Sequence, residues 1–287
     1  MFVQMSTLGS NGRFGNQIFQ YFFLKILELE IGVEIRYPTW NGAHLFKIPP
    51  TPNGVHINAS LFEDGYPEFS ARSTLDLEIE KVRFFMKKNP LDPIDLIGFY
   101  QFNTIFYKKY KNLFQNIFSF NQSLSNMVNP IIHKFKKENK SIVAIHVRRG
   151  DYLVEQRKSP LFWCHSLESI VSSVNQCSEI SISNVVFYLA SDETALVAQE
   201  LHALGIDCVC AHDLFRGLSD IGCLAIDFYM LANAEVLLIS NSSFSFAASM
   251  LNDSAKAFFR PSPKGGSLFT YDPWNSPALL VKDISAD

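Results

Sequence analysis

No stretch of this sequence approaches the roughly 18 consecutive apolar residues that a membrane-spanning helix needs. The amino terminus lacks a basic segment followed by an apolar core, so no signal peptide is expected. Cysteine is scarce, five residues in 287, and none is spaced for a metal site. Cys208-Val209-Cys210 alternates as a strand does, and buried thiols in a reduced, cytoplasmic compartment are the expectation. Charge is sparse as well: 25 Lys and Arg against 28 Asp and Glu leave a net charge of −3. That balance argues against general nucleic-acid binding, despite a local basic stretch at Lys134-Phe135-Lys136-Lys137. There is no internal repeat and no low-complexity tract. Hydrophobic residues make up 47% of the chain, which excludes a disordered tail and allows one large or two moderate domains.

What is present begins with Ile142-Val143-Ala144-Ile145, an apolar, partly β-branched run that reads as a buried parallel strand. It ends in His146-Val147-Arg148-Arg149-Gly150-Asp151-Tyr152. Open α/β folds place ligands at the carboxyl ends of their strands. Two adjacent guanidiniums there suit an anion with several oxygens, such as a diphosphate, because each presents a rigid fork of donors. A plain ion pair with Asp151 is the structural alternative.

The rest of the chain alternates. Phe2 to Thr7 reads as a first strand, followed by a loop with glycines at Gly9, Gly12 and Gly15. A helix is expected from about Asn16 to Ile31, with Ile18, Phe22, Ile26 and Leu29 on one face and Gly32 as its stop. Strand, glycine-rich loop and helix bring a helix amino terminus to an anion, but no Gly-Lys-Ser/Thr follows, so this is not a P-loop. Val33 to Tyr37 reads as a strand, Pro38 to Pro67 as irregular, and Thr104 to Lys140 as mainly helical with Pro130 breaking or starting a helix. Beyond the arginine strand, helices are expected at Leu161–Cys177, Thr194–Leu204, Leu218–Ala234 and Phe244–Leu251. Strands are expected at Val185–Ala190, Ile206–Cys210, Val236–Ser240 and Lys256–Phe259. That alternation means a parallel sheet covered on both faces, a Rossmann-like half. Two more of its strand ends are polar. Ser191 and Asp192 could accept hydrogen bonds from a nucleoside or cap the next helix. Asn241, Ser242 and Ser243 precede a helix start whose free N–H groups suit a diphosphate.

His146 through Tyr152 resembles the His-x-Arg-Arg-Gly-Asp motif of the bacterial α-1,2-fucosyltransferases, within the α-1,2/α-1,6/O-fucosyltransferase superfamily. Three further stretches follow that family's order. Gly12-Arg13-Phe14-Gly15-Asn16-Gln17-Ile18-Phe19-Gln20-Tyr21 resembles its Gly-x-Gly-Asn-Gln-Met-Phe-Gln-Tyr signature, with Arg13 a departure. Phe187 to Glu193 resembles its Phe-Ser-Asp-Asp segment. Ile239-Ser240-Asn241-Ser242-Ser243-Phe244-Ser245 resembles its Asn-Ser-Thr-Phe-Ser-Trp-Trp segment, with Phe246-Ala247 in place of the paired tryptophans.

The resemblance implies a GT-B-like α/β fold of two Rossmann-like halves: residues 1–135 as an acceptor-side domain and 136–287 as the GDP-sugar-binding domain. It implies inverting, metal-independent transfer of L-fucose from GDP-fucose to a galactose-type hydroxyl in α-1,2 linkage, with no cofactor. Donor contacts would fall to Gly12, Gly15, Asn16, Gln17, Ser191, Asp192, Asn241, Ser242, Ser243, Phe244 and Ser245. His146, Arg148, Arg149 and Asp151 would do the chemistry, with Asp151, His146 or Glu155 as general base. No Asp-x-Asp is present to hold a metal. Animal relatives carry a membrane anchor or signal sequence, so a bacterial-type soluble enzyme is expected, with peripheral association at the inner face of a membrane. Three alternatives stand beside this reading: another linkage or acceptor, a nucleotide-sugar-binding protein without turnover, and an unrelated phosphate-binding α/β enzyme.

Overall fold

The computed structural model describes residues 2–50, 57, 59–67, 73–156, 159–176 and 184–283. These form two compact units, Met1–Ser119 with Trp274–Ala278, and Phe120–Pro273 with Leu279–Asp287.

The first unit is built on four parallel strands: β1 (Phe2–Gln4), β2 (Glu34–Arg36), β3 (Ser60–Phe62) and β4 (Ile94–Ile97). They lie in the order β2-β1-β4-β3. Strand β3 falls in the stretch expected to be irregular, of which residues 51–56 and 58 lie outside the described set. It is three residues long, too short to show a period. The helix after β1 runs Phe14–Ile31 and is buried nearly all round, as its apolar composition demands. It stops at Gly32, whose φ of 71° lets its N–H return to Glu28 O. Leu29, expected on the core face, is 61% exposed because the last turn runs past the core. Aromatic packing fills the interior: Phe23 stacks on Tyr100 at 4.0 Å, and Phe22 meets Phe114 edge-on at 4.8 Å. Residues 274–278 join this unit through Trp274 against Phe114 at 5.5 Å. Thr104 Oγ1 adds a hydrogen bond to Ser276 O at 2.8 Å.

The second unit carries β5 (Ser141–Val147), β6 (Val185–Ser191), β7 (Cys208–Val209), β8 (Val236–Leu238), β9 (Ala257–Pro261) and β10 (Leu268–Thr270). Their order is β10-β9-β8-β5-β6-β7, parallel except for β10 against β9. Read from β7, this is the 3-2-1-4-5-6 order of a doubly wound nucleotide fold, with the order reversing between β5 and β8. Strand β5 is buried from Ile142 to Val147, so both faces are covered. Val143, Ile145 and Val147 pack with Phe187, Leu189 and the helices Leu167–Gln176 and Thr194–Ala203. Full burial of each such aliphatic side chain contributes about 1.5–3 kcal/mol.

Most elements lie within a few residues of their expected limits. Two differ in kind. Pro130 sits inside the helix Gln122–Lys137, on its exposed side, and forfeits only one backbone bond there. Residues 161–166 do not join the helix that starts at Leu167; Trp163 instead donates from Nε1 to Leu280 O at 3.0 Å. Strand β10 carries no period of its own and follows from antiparallel pairing with β9.

Candidate active site

Strand register assembles the site in the second unit. Val147 pairs with Ser191 across β5 and β6, so both chains leave the sheet level with each other. Arg148 and Arg149 therefore stand beside Asp192 and Glu193. Arg149 donates its backbone N–H to Asp192 Oδ1 at 3.0 Å, and Arg148 Nη1 lies 2.9 Å from Asp192 Oδ2. Arg148 Nη2 also pairs with Asp151. Arg149 Nη1 meets Glu200 Oε2 at 2.5 Å, and its Nε lies 3.5 Å from Glu193 Oε2. Gly150 is required by close approach, because a Cβ there would run into the Asp192 carboxylate. Asp192 thus braces the arginine loop and is not the cap of the following helix. Ser191 Oγ does accept the N–H of Glu193 at 3.1 Å.

The second register, Ile145 opposite Leu238, sets the end of β5 beside the loop after β8. Ser240 Oγ is the link across the switch point. It accepts the Arg148 N–H at 3.0 Å and lies 2.8 Å from His146 Nδ1 and 3.0 Å from His146 O. His146 is buried at 5% exposure. Burial first, then Arg148 and His165, push its pKa down to about 3, so the ring is neutral at physiological pH. Its ring packs 5.4 Å from Phe244. His165 is likewise pushed down, to about 4, by burial.

Beyond Ser240, Asn241 is fully buried. Its Nδ2 donates to Leu161 O at 2.9 Å and Leu280 O at 2.8 Å. Its Oδ1 accepts from Leu280 N at 2.8 Å and Arg260 Nη2 at 3.3 Å. All four of its amide bonding positions are therefore used by the protein. Ser242 caps the helix Ser243–Leu251 through the N–H of Phe244 at 3.4 Å, and Ser245 Oγ returns to Ser242 O at 3.4 Å. The start of that helix, with its amino-terminal dipole, follows directly on the loop that holds the arginine strand end. Phe246, where the family motif has tryptophan, packs under the buried Arg260 guanidinium at 5.3 Å.

Gly12, Gly15, Asn16 and Gln17 come together in the first unit. Gly12 has φ +78°, and a Cβ there would lie 2.9 Å from Asn16 Cβ. Gln17 Nε2 donates to Gly9 O and Gly12 O at 3.2 and 3.3 Å, and Gln20 Nε2 to Asn11 O and Gly98 O at 3.1 and 2.9 Å. Gln101 Nε2 donates to Asn16 Oδ1 at 2.8 Å. The amides of this signature hold the glycine loop in shape.

Sequence reasoning missed Ser240, Glu193 and Glu200 as participants. The signal for the two glutamates was their seven-residue separation, which puts both on one face of the helix Thr194–Ala203 and its cap. Among the described residues, no group of three or more His, Cys, Asp or Glu is arranged to hold a metal ion, and no helix is long and apolar enough to cross a membrane.

A sheet of this strand order, with paired guanidiniums and a capped helix start at its switch point, is a doubly wound α/β arrangement that suits a phosphate-bearing ligand. The profile of glycosyl transferase family 11 matches residues 2–258, and the chain belongs to that family. Among curated relatives, the Escherichia coli O-antigen biosynthesis glycosyltransferase WbnK is 21% identical over 164 residues, 55% of this chain. That match spans 50% of WbnK, about half the length of that relative. Among solved structures, fucosyltransferase NodZ from Bradyrhizobium superposes with a TM-score of 0.57 at 14% identity, covering 94% of this chain and 98% of that one. POFUT1 in complex with GDP-fucose gives 0.57 at 11% identity, with coverage of 90% and 97%. At these identities the likeness shows the fold.

Proposed function

We propose that this protein transfers L-fucose from GDP-fucose to a galactose-type hydroxyl of a glycan precursor, forming an α-1,2 linkage with inversion and without a metal. The observation that carries the reading is the Arg148–Arg149 pair at the switch point, next to the helix start at Ser243. Support for the donor comes from family membership and from the NodZ structure soaked with GDP-fucose. The acceptor oxygen attacks C1 of fucose as the bond from C1 to the diphosphate oxygen breaks, and GDP leaves. Negative charge then grows on the diphosphate. Preorganised donors in such a position each supply about 2.7–4 kcal/mol, and here the two guanidiniums take that part, beside the positive end of the helix dipole at Ser243. A ring held neutral down to about pH 3 is a poor proton acceptor at pH 7. His146 is therefore assigned to bracing the loop through Ser240. Asp151 and Glu155 remain as bases for the acceptor proton. Asn241 shapes the donor loop from beneath, and Gly12, Gly15, Asn16 and Gln17 shape the corresponding loop of the first unit.

The test is a panel of β-galactosides, other hexosides and O-linked peptides offered with GDP-fucose, with the linkage of any product read by NMR. A fucosyl α-1,2-galactoside is expected. Transfer only to another hydroxyl or sugar assigns a different linkage within the family. The ion pairing of both arginines favours one competing reading, a nucleotide-sugar-binding protein without turnover; tight GDP-fucose binding with no product from any acceptor would establish it.

A further inference from the structure

The first unit carries an exposed apolar surface outside the residues assigned to donor binding and transfer. The helix Leu75–Lys88 is amphipathic and buries Leu75, Ile79, Val82 and Met86. Its opposite side exposes Leu77 at 61% and Phe84 at 59%, seven residues apart and so on one line, and Leu91, in the turn that follows the helix, is exposed at 89%. Core packing accounts for none of the three. Nor do they stand alone. Arg83 donates to Glu30 O at 3.2 Å, which joins this helix to the end of the first helix, where Leu29 is exposed. Asp76 pairs with Lys109 at 3.0 Å, which joins it to the turn Thr104–Tyr110, where Ile105 and Phe106 are exposed at 41% and 37%. Monomeric soluble proteins rarely leave so many large apolar side chains exposed on neighbouring elements.

Charge says what covers it. Of the seven Lys and Arg in residues 81–111, Lys81, Arg83 and Lys109 pair with Glu78, Glu80 and Asp76, which leaves Lys87, Lys88, Lys108 and Lys111 against Asp92 and Asp95, a net of +2 in a chain whose net charge is −3. Asp95 is buried against Ser6, which leaves Asp92 as the exposed acid of that stretch. Asp76 and Glu80 on the same helix are already matched, by Lys109 and Arg83. Lys87, Lys88 and Lys108 have no carboxylate partner among the described residues, and Lys88 sits 4.4 Å over the Phe84 ring. Exposed Phe and Leu interleaved with uncompensated Lys match an anionic bilayer. The rings and aliphatic chains enter the headgroup boundary, while the ammonium groups remain at its negative surface. A protein partner of equal polarity would need acidic side chains placed one by one against mobile lysines; a lipid surface needs no such registration.

We infer that the face formed by Leu77, Phe84, Leu91, Lys87, Lys88 and the Ile105–Lys109 turn docks this protein onto an anionic phospholipid bilayer. The experiment is co-sedimentation of the full-length chain with vesicles of phosphatidylcholine alone or with 30 mol% phosphatidylglycerol, roughly the anionic load that generates a substantial surface potential. Binding is expected only to the anionic vesicles and should fall as salt is raised from 0.05 to about 0.5 M. Lys87→Glu with Lys88→Glu, and separately Phe84→Ser with Leu91→Ser, should each lower the bound fraction at least tenfold, while GDP binding in both variants reports an intact fold. No sedimentation of the wild type with anionic vesicles overturns the inference. So does sedimentation that both variants retain. A concentration-dependent dimer, abolished by Phe84→Ser with Leu91→Ser in the absence of lipid, would assign the face to a second copy instead.

Discussion

Replacing Glu200 by Gln should tighten the binding of GDP. Arg149 Nη1 lies 2.5 Å from Glu200 Oε2, and the two side chains are 22% and 38% exposed. Unit charges about 4 Å apart attract by about 1 kcal/mol in bulk water and about 4 kcal/mol at an effective dielectric constant of 20. Exposure on this scale screens the pair, which places it at about 1–2 kcal/mol. A diphosphate that recruits Arg149 must offset that attraction and must also accept a carboxylate as its neighbour. Glu200→Gln keeps the shape and removes both costs, so the dissociation constant for GDP should fall roughly 5- to 30-fold. Isothermal titration calorimetry at low and high salt measures it, with the gain shrinking as salt screens the pair. Arg149→Ala is the control and should weaken binding. If Glu200→Gln instead weakens GDP as much as Arg149→Ala does, Glu200 aims the guanidinium and does not compete for it. If the constant is unchanged in both, Arg149 does not meet the diphosphate.

Two further predictions rest on single contacts. Gly150→Ala should cut transfer at least tenfold while leaving the melting temperature nearly unchanged, because the new methyl displaces the Asp192 carboxylate that holds the Arg149 N–H; full activity would mean that this brace is dispensable. Asp227, which accepts from Tyr188 OH at 2.6 Å, has its pKa raised to about 7 by burial, only partly offset by that bond. Its protonated form is therefore favoured in the folded state. The stabilisation is complete below the ordinary carboxylate pKa of 3.8 and is lost as pH rises toward 7, by about 1.4 kcal/mol per pH unit. Urea unfolding of Asp227→Asn should lack that decline, so the variant gains on wild type between pH 4 and 7. Parallel stability profiles would show that Asp227 titrates normally.

Much of this was legible before the structure, and the reasons are specific. The run Ile142 to Ile145 ending in His146 and the arginines marked the central strand, because a strand buried on both faces cannot hide its composition. Gly32 marked the end of the first helix for a conformational reason, its positive φ. Long-range pairing was not legible. Nothing local to Arg149 indicates that Glu200 reaches it from 51 residues away, nor that Ser240 closes the gap between β5 and β8. Both follow from strand register, which is settled only once the sheet forms. Asn241, Gln17 and Gln20 teach the same lesson in reverse. Polar residues in a motif invite assignment to a ligand, yet their side-chain donors are spent on backbone carbonyls. Buried backbone groups in loops must be satisfied somewhere, and an amide nearby is the economical way.

The measurement that tests the central claim most directly is GDP release from GDP-fucose in the presence of EDTA, with and without a galactoside acceptor, in wild type and Arg149→Ala. The account predicts acceptor-stimulated release that survives EDTA and falls by at least two orders of magnitude in the variant, the scale expected for removing one charged donor to the leaving group. Release that EDTA abolishes, or that Arg149→Ala leaves intact, would contradict it.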